Sequence, residues 1–300
     1  MSDIKLFQLS GASLTELDGS SAPLERSLQT TFENNLETLL GVRFLASEYT
    51  TSNGGRMDTL GIDENGYPVI IEYKRDRSEN VINQGLFYLD WLMDHRGDFE
   101  LLVRDRYDKA TADAVEWSAP RLICIAADFS KFDAHAVKQM SRNIELIRYR
   151  QFEGDLLMLD LLTTVSTKPL RMADSAKGKS QKYKTNAQSL SDANDTLSNL
   201  YSDIETHMMG LGDDVVQKEL QNYFAFKRIK NFACVEVKPQ INVIRLYLKV
   251  DPTTVELEDG FTRDVSSVGH FGTGDLEVSV KSYDDFERAK DLIARSYEAS

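Results

Sequence analysis

Cysteine is almost absent from this sequence. Cys124 and Cys234 are the only two in 300 residues, and each sits in an apolar, strand-like run, LICIA and FACVEV. Neither has a Cys or His nearby at ligand spacing, which argues against a zinc site and reads as two buried free thiols. The four histidines, His95, His135, His207 and His270, are dispersed and form no ligand pattern; His135, on KFDAHAVKQM, reads as a surface residue. No apolar run approaches the roughly 20 residues that span a bilayer. The N-terminal MSDIKLFQLSGASL lacks the basic, apolar and small-residue segments of a signal peptide, so the expectation is a cytoplasmic protein. Positive charge is short as well, with 35 Lys and Arg against 48 Asp and Glu, a net charge of −13. That balance argues against a protein that coats nucleic acid indiscriminately. It leaves room for an enzyme with a local basic groove around an acidic, cation-holding centre.

What is present is an ordinary globular mixture, 41% hydrophobic and 28% charged, in a chain long enough for two domains. Leu24, Leu28, Phe32, Leu36, Leu39 and Leu40 recur at helical spacing and predict a helix over 22–41, with Gly41 as its stop. RFLASEY, GRMDTLGID and YPVIIEYKR then read as strands divided by Gly, Asn and Asp. A helix over about 79–95, strands at 100–104 (ELLVR) and 121–126, a helix near 132–143, and strands at 144–149 and 155–162 follow. This order predicts an α/β domain over 1–162 with a sheet between helices. Residues 163–198 read as a linker, basic in its first part through Lys168, Arg171, Lys177, Lys179, Lys182 and Lys184; it is either a solvated tether or a mobile arm that tracks phosphates. A helix over about 186–209, whole or in two pieces, leads into a smaller α+β domain at 199–300. Its strands are CVEVKP, VIRLYLKV and LEVSVK, and its last element is the helix SYDDFERAKDLIARSYEA.

The chemistry concentrates in GRMDTLGIDENGYPVIIEYKR, residues 55–75. Read as a hairpin, it allows two registers. A two-residue Asn65-Gly66 loop sets Asp58 opposite Tyr73 and leaves Glu72 on the other face. A three-residue loop, Glu64-Asn65-Gly66, is a type I turn followed by a left-handed glycine, and sets Asp58 across from Glu72. Lys74, two residues on, shares the face of Glu72. The second register is the one expected, because it gathers two carboxylates and an amine. Two carboxylates can hold Mg²⁺ in an incomplete oxygen shell with room for water and a phosphate oxygen. Lys74 can orient the water and add positive charge. A Glu within the apolar strand VIIEY needs such a partner, since an unpaired buried carboxylate is expensive.

Gly55-Arg56-Met57-Asp58 followed by Val69-Ile70-Ile71-Glu72-Tyr73-Lys74 resembles the bipartite motif of the PD-(D/E)XK nuclease superfamily, closest to the NucS-type branch of mismatch endonucleases. The resemblance covers roughly residues 20–160, with Met57 in place of the motif's proline. It implies a restriction-endonuclease-like core, metal binding by Asp58 and Glu72, and Lys74 completing the catalytic site. Gln84 and Tyr88, four apart on one helix face, resemble the Q-x-x-x-Y element that contacts nucleic acid or steadies the site in related nucleases. Glu33 resembles the acid that the superfamily contributes from an N-terminal helix, with Glu37 as the competing candidate. Arg56 can contact phosphate or pair with an acidic ligand. Tyr49, Tyr73, Phe87 and Trp91 are base-stacking candidates that read better as core.

The tail from about Leu200 resembles a bacterial domain family of unknown function, labelled a predicted transport protein, through Tyr223–Asn231, IRLYLKV and Val265–Val280. Gly269, Gly272 and Gly274 match no phosphate-binding fingerprint and read as a turn before a strand. Lys227, Arg228 and Lys230 beside Tyr223, Phe224 and Phe226 suit either recognition of DNA or a modified base, or a helix end. Together these readings predict a Mg²⁺-dependent deoxyribonuclease, with Mn²⁺ able to substitute, acting in repair, restriction or defence. RNA stays open beside DNA as the substrate, and cutting two strands favours a homodimer. The alternative is a non-catalytic nucleic-acid-binding or regulatory adaptor on the same fold.

Overall fold

The computed structural model describes residues 4–77, 80–165 and 184–300. The basic stretch expected over 163–185 lies almost wholly outside them. The chain divides into two compact units, Met1–Met172 and Ala173–Ser300.

The first unit opens with a small hairpin, β1 (Leu6–Ser10) and β2 (Ser13–Leu17), and a two-residue strand, β3 (Gly19–Ser20). Two helices, α1 (Glu25–Glu33) and α2 (Leu36–Leu40), replace the single helix expected over 22–41. The break falls at Asn34-Asn35, where Asn35 leaves the helical region (φ −135°) and its amide donates to Thr31 O at 2.8 Å. Asparagine competes for backbone partners in this way, and so ends helices. Leu28 and Phe32 face the core on α1, Leu36 and Leu40 on α2.

Then come β4 (Val42–Thr50), β5 (Arg56–Asp63), β6 (Pro68–Arg77), α3 (Val81–Asp94), α4 (Arg96–Arg106), α5 (Lys109–Asp113), β7 (Arg121–Asp128), α6 (Lys131–Lys138), β8 (Asn143–Phe152) and β9 (Leu156–Val165). The strand expected at 100–104 is helix α4. Phe99 and Val103, one turn apart, are its buried residues, whereas Leu101 is exposed. A helical stripe, not an alternating one, meets the core there.

The central sheet runs in the order β3-β8-β7-β6-β5-β4, with β9 also paired to β8. Strands β6, β7 and β8 are parallel and the other pairs antiparallel. Parallel strands are covered on both faces and therefore read as continuous apolar runs, as VIIEY and LICIA do. The core joins Leu60, Ile62 and Ile70 to Val81, Tyr88, Leu89 and Leu92 of α3. At one end of the sheet Arg121 donates to Glu145 through Nε (2.9 Å) and Nη2 (2.8 Å), and to Asp63 Oδ2 through Nη1 (2.8 Å). All three side chains are buried, so each charge depends on the others.

The second unit begins with the helices α7 (Asn186–Ser191) and α8 (Asp195–Met209). Helix α7 falls within the expected linker, yet its Asn186 side chain brackets a strand, donating to Val235 O (3.0 Å) and accepting from Val237 N–H (2.8 Å). A six-stranded antiparallel sheet follows: β10 (Val216–Glu219), β11 (Phe224–Lys227), β12 (Asn231–Lys238), β13 (Val243–Leu248), β14 (Thr262–Asp264) and β15 (Leu276–Val280), in the order β10-β11-β12-β13-β15-β14. Helix α9 (Tyr283–Glu298) closes the chain. Phe286, Ala289 and Ile293 of α9 and Leu197, Tyr201 and Ile204 of α8 share a core with Val235, Leu246 and Val278 of the sheet. The protein is thus a mixed α/β unit, its central mixed sheet flanked by helices, followed by a sheet-rich unit. Among the described residues no helix is long and apolar enough to cross a membrane.

Candidate active site

The hairpin β5–β6 takes the three-residue register, with Thr59 facing Ile71, Leu60 facing Ile70 and Ile62 facing Pro68. Asp63 builds the turn: its Oδ1 accepts from the N–H of Asn65 and of Tyr67, both at 2.9 Å. Gly66 sits at φ +82°, and a Cβ there would stand 2.8 Å from Ala114 O. Only glycine combines that backbone with that approach.

Backbone pairing of β5 with β6 stops at Thr59 and Ile71. One step further on, the carboxylates take over the bridging. Asp58 N–H donates to Glu72 Oε1 at 3.2 Å, and Tyr73 N–H donates to Asp58 Oδ2 at 3.0 Å. By strand alternation, Asp58, Glu72 and Lys74 share the face of Leu60 and Ile70, which packs under α3. The opposite face carries Tyr73, which meets Phe32 of α1 edge-on at 5.7 Å. Gln29 of α1 supports the hairpin with its Nε2, 2.9 Å from Asp58 O.

Glu72 is fully buried, and among the described residues its Oε2 has no hydrogen-bond partner. Burial, and then the negative charge of Asp58, push its carboxyl up to about 9. Asp58 is raised as well, chiefly by burial, against the opposing pull of the Tyr73 N–H and of Lys74. Two acids that resist ionising side by side, one with an oxygen turned inward and unpaired, are what a cation would relieve. The donor set therefore fits a hard divalent ion held by two carboxylates. Among the described residues no group of three or more His, Cys, Asp or Glu has metal-holding geometry, so any further ligands would come from water, backbone or substrate.

Lys74 Nζ lies 3.2 Å from Glu25 Oε1, and Glu25 Oε2 accepts from Arg75 N–H at 3.1 Å. Glu25, in the first turn of α1, is thus the helix acid that the fold brings to Lys74. Neither Glu25 nor Gln29 stands out in the sequence; an acid directly after Leu24, in the first turn of the apolar stripe, was the available signal. Glu33 lies elsewhere. Its Oε1 accepts from Thr59 Oγ1 (2.6 Å) and Gln29 Nε2 (3.0 Å), and Thr59 faces away from Asp58 by strand alternation. Glu37, on α2, borders a surface groove with Arg43 and Tyr107. Neither joins Asp58 and Glu72.

Gln84 and Tyr88 form one chain: Gln84 Nε2 donates to Tyr88 Oη, which accepts from Arg56 N–H, both at 3.2 Å. This ties α3 to the start of β5. A Cβ on Gly55 would stand 2.4 Å from Tyr88 Cε1, so the glycine before Arg56 makes the contact possible. The Arg56 guanidinium is exposed and pairs with Glu48 Oε2 at 3.2 Å. Of the stacking candidates, Tyr73 and Trp91 are buried, Tyr49 leans on Trp91, and Phe87 is exposed.

Residues 187–300 match the model of a domain of unknown function, DUF5655. An uncharacterized protein of Haemophilus influenzae is 27% identical over 302 residues, 98% of this chain and 99% of that protein. Among solved structures, a repair endonuclease from Pyrococcus abyssi is 16% identical over 42% of this chain and 48% of that one, with a TM-score of 0.29. The EndoMS–dsDNA complex is 21% identical over 41% of this chain and 44% of that one, with a TM-score of 0.26. This chain spans about half the length of either, and the overlap is too loose to bear on chemistry.

Proposed function

We propose that the first unit is a Mg²⁺-dependent phosphodiester hydrolase acting on DNA. The observation that carries this reading is the pairing of Asp58 with Glu72 where β5 and β6 part, with one Glu72 oxygen buried and, among the described residues, unpartnered; strand alternation puts Lys74 on the same face. The motif resemblance supplies the substrate class. Asp58 and Glu72 would hold the cation, and Mn²⁺ could take its place. A bound Mg²⁺ would supply positive charge at the scissile phosphate and a lowered pKa for the attacking water. Lys74 sets an ammonium and its N–H donors beside the carboxylates, and Glu25 fixes where that ammonium sits. Tyr88 and Gln84 hold the start of β5, and with it Arg56, whose exposed guanidinium meets backbone phosphate.

A panel of labelled single-stranded, double-stranded and mismatched DNA, with RNA as a further arm, tests the reading in Mg²⁺, Mn²⁺ or EDTA. Metal-dependent cleavage that disappears in Asp58→Asn and Lys74→Ala is the expected result. Absence of cleavage across the panel, or undiminished cleavage by both variants, contradicts it. A second reading, a nuclease-like module that binds without cutting, draws on the Lys74–Glu25 pair, which leaves the lysine occupied. Retained DNA binding with no cleavage would select it.

A further inference from the structure

The second unit uses one face of its sheet as core and carries a different chemistry on the other. Val235, Val237, Ile244, Leu246 and Val278 point into the helix-covered core. The alternate positions are Cys234 and Glu236 on β12, Arg245 and Tyr247 on β13, and Glu277 on β15, with Glu236 across from Arg245 and Tyr247 across from Glu277. Glu236, Tyr247 and Glu277 are 3–5% exposed. Glu236 Oε2 is 2.8 Å from Lys238 Nζ and 3.4 Å from Tyr247 Oη.

The glycine-rich loop over 265–274 lies against this face and is fastened on both sides of Phe271. Before it, His270 stacks on Tyr247 (centroids 4.5 Å apart, planes 18° apart) and its Nδ1–H donates to Val268 O at 2.9 Å. After it, Thr273 N–H donates to Cys234 Sγ at 3.3 Å. Phe271 itself is 55% exposed. It borders an open cavity of about 460 Å³ whose walls include Lys184, Ser189, Asn222, Glu236, Lys238 and Gln240.

A large aromatic held in water by anchors on either side forgoes the burial that would otherwise stabilise it, and a ligand that stacks on the ring restores that burial. The walls add amide donors and acceptors, a carboxylate whose charge Lys238 balances and the Lys184 ammonium, which Asp192 balances at 2.6 Å; this favours a ligand without net charge at its recognised end. A planar, neutral heterocycle with a donor-rich edge meets each of these demands. We infer that the cavity beside Phe271 and Glu236 is a nucleobase site, with the base stacked on Phe271 and its edge read by Glu236. Guanine is the best match, because its ring N–H and amino group present two parallel donors to one carboxylate. The base is either displaced from DNA or part of a free nucleoside. This site shares no residue with Asp58, Glu72 and Lys74.

Binding to the full-length protein in EDTA tests the inference independently of cleavage. Two probes are titrated: guanosine, with adenosine and cytidine as comparisons, and a DNA duplex carrying one extrahelical guanine, with its fully paired counterpart as comparison. Saturable binding of guanosine identifies a nucleoside site, and preference for the extrahelical duplex alone identifies a displaced-base site. In either case Phe271→Ala, a surface change, should weaken binding about tenfold or more, in line with the loss of one base–aromatic stack. Glu236→Gln should abolish the preference for guanine while leaving the thermal midpoint close to that of the wild type. No saturable binding of either probe, or binding and base preference unchanged in both variants, would overturn the inference.

Discussion

At the residue scale the account turns on Glu72. Its carboxyl is raised from 4.5 to about 9 by burial and by Asp58, so the folded, cation-free protein binds a proton that the unfolded chain releases. The sign follows from linkage. This contribution is fully present below about pH 4.5 and is lost as pH rises toward about 9, at most about 1.4 kcal/mol per pH unit for one proton. Asp58 is shifted in the same direction. Thermal melts in EDTA at pH 6.0 and 8.5 should therefore show Glu72→Gln gaining on the wild type as pH rises, and Mg²⁺ should raise the wild-type midpoint more at the higher pH. A constant difference between variant and wild type would contradict the buried, proton-holding carboxyl. Asp58, Glu72 and Lys74 were legible in the sequence once a loop length was chosen, because strand alternation then determines their positions locally. Glu25 was not. Its approach to Lys74 depends on where α1 crosses the sheet, a tertiary outcome that helical periodicity does not encode.

At the scale of elements, the β5–β6 hairpin was legible to its register. Asp63-Glu64-Asn65-Gly66 allows a two- or a three-residue loop; the convergence of Asp58, Glu72 and Lys74 favours the second, and Gly66 at φ +82° supplies its left-handed residue. The path of α4 was not legible. A run such as ELLVR is too short for its period to separate strand from helix, and burial of Phe99 with Val103 decided the matter. The helix over 22–41 failed at Asn34-Asn35, where side chains that compete for backbone partners interrupt an otherwise continuous apolar stripe. The charged triad that joins β5, β7 and β8 was also hidden, since its members are 24 and 58 residues from Arg121. It carries a direct prediction. Arg121→Ala removes the guanidinium that buried Asp63 and Glu145 share and should cost about 3–5 kcal/mol, measured by urea denaturation. A loss under about 1 kcal/mol would show that the triad contributes little.

At the scale of the molecule, a strongly acidic chain holds one compact carboxylate pair at a strand fork and, in its second unit, an aromatic displayed over a polar cavity. A boundary between two domains is expected where apolar strand and helix patterns lapse and basic residues gather; the chain divides into Met1–Met172 and Ala173–Ser300. What the second unit recognises could not be read from the sequence, since Glu236, Tyr247 and Phe271 come together only through the sheet register and the anchored loop. The whole account rests on two carboxylates and one lysine acting on a phosphodiester. Single-turnover cleavage of a labelled DNA duplex by the full-length protein, wild type against Glu72→Gln, tests it most directly. The account predicts cleavage that requires Mg²⁺ or Mn²⁺ in the wild type and is slower by about 100-fold or more in the variant, with the thermal midpoint in EDTA no lower. Equal rates in the two proteins, or wild-type cleavage that persists in EDTA, would contradict it.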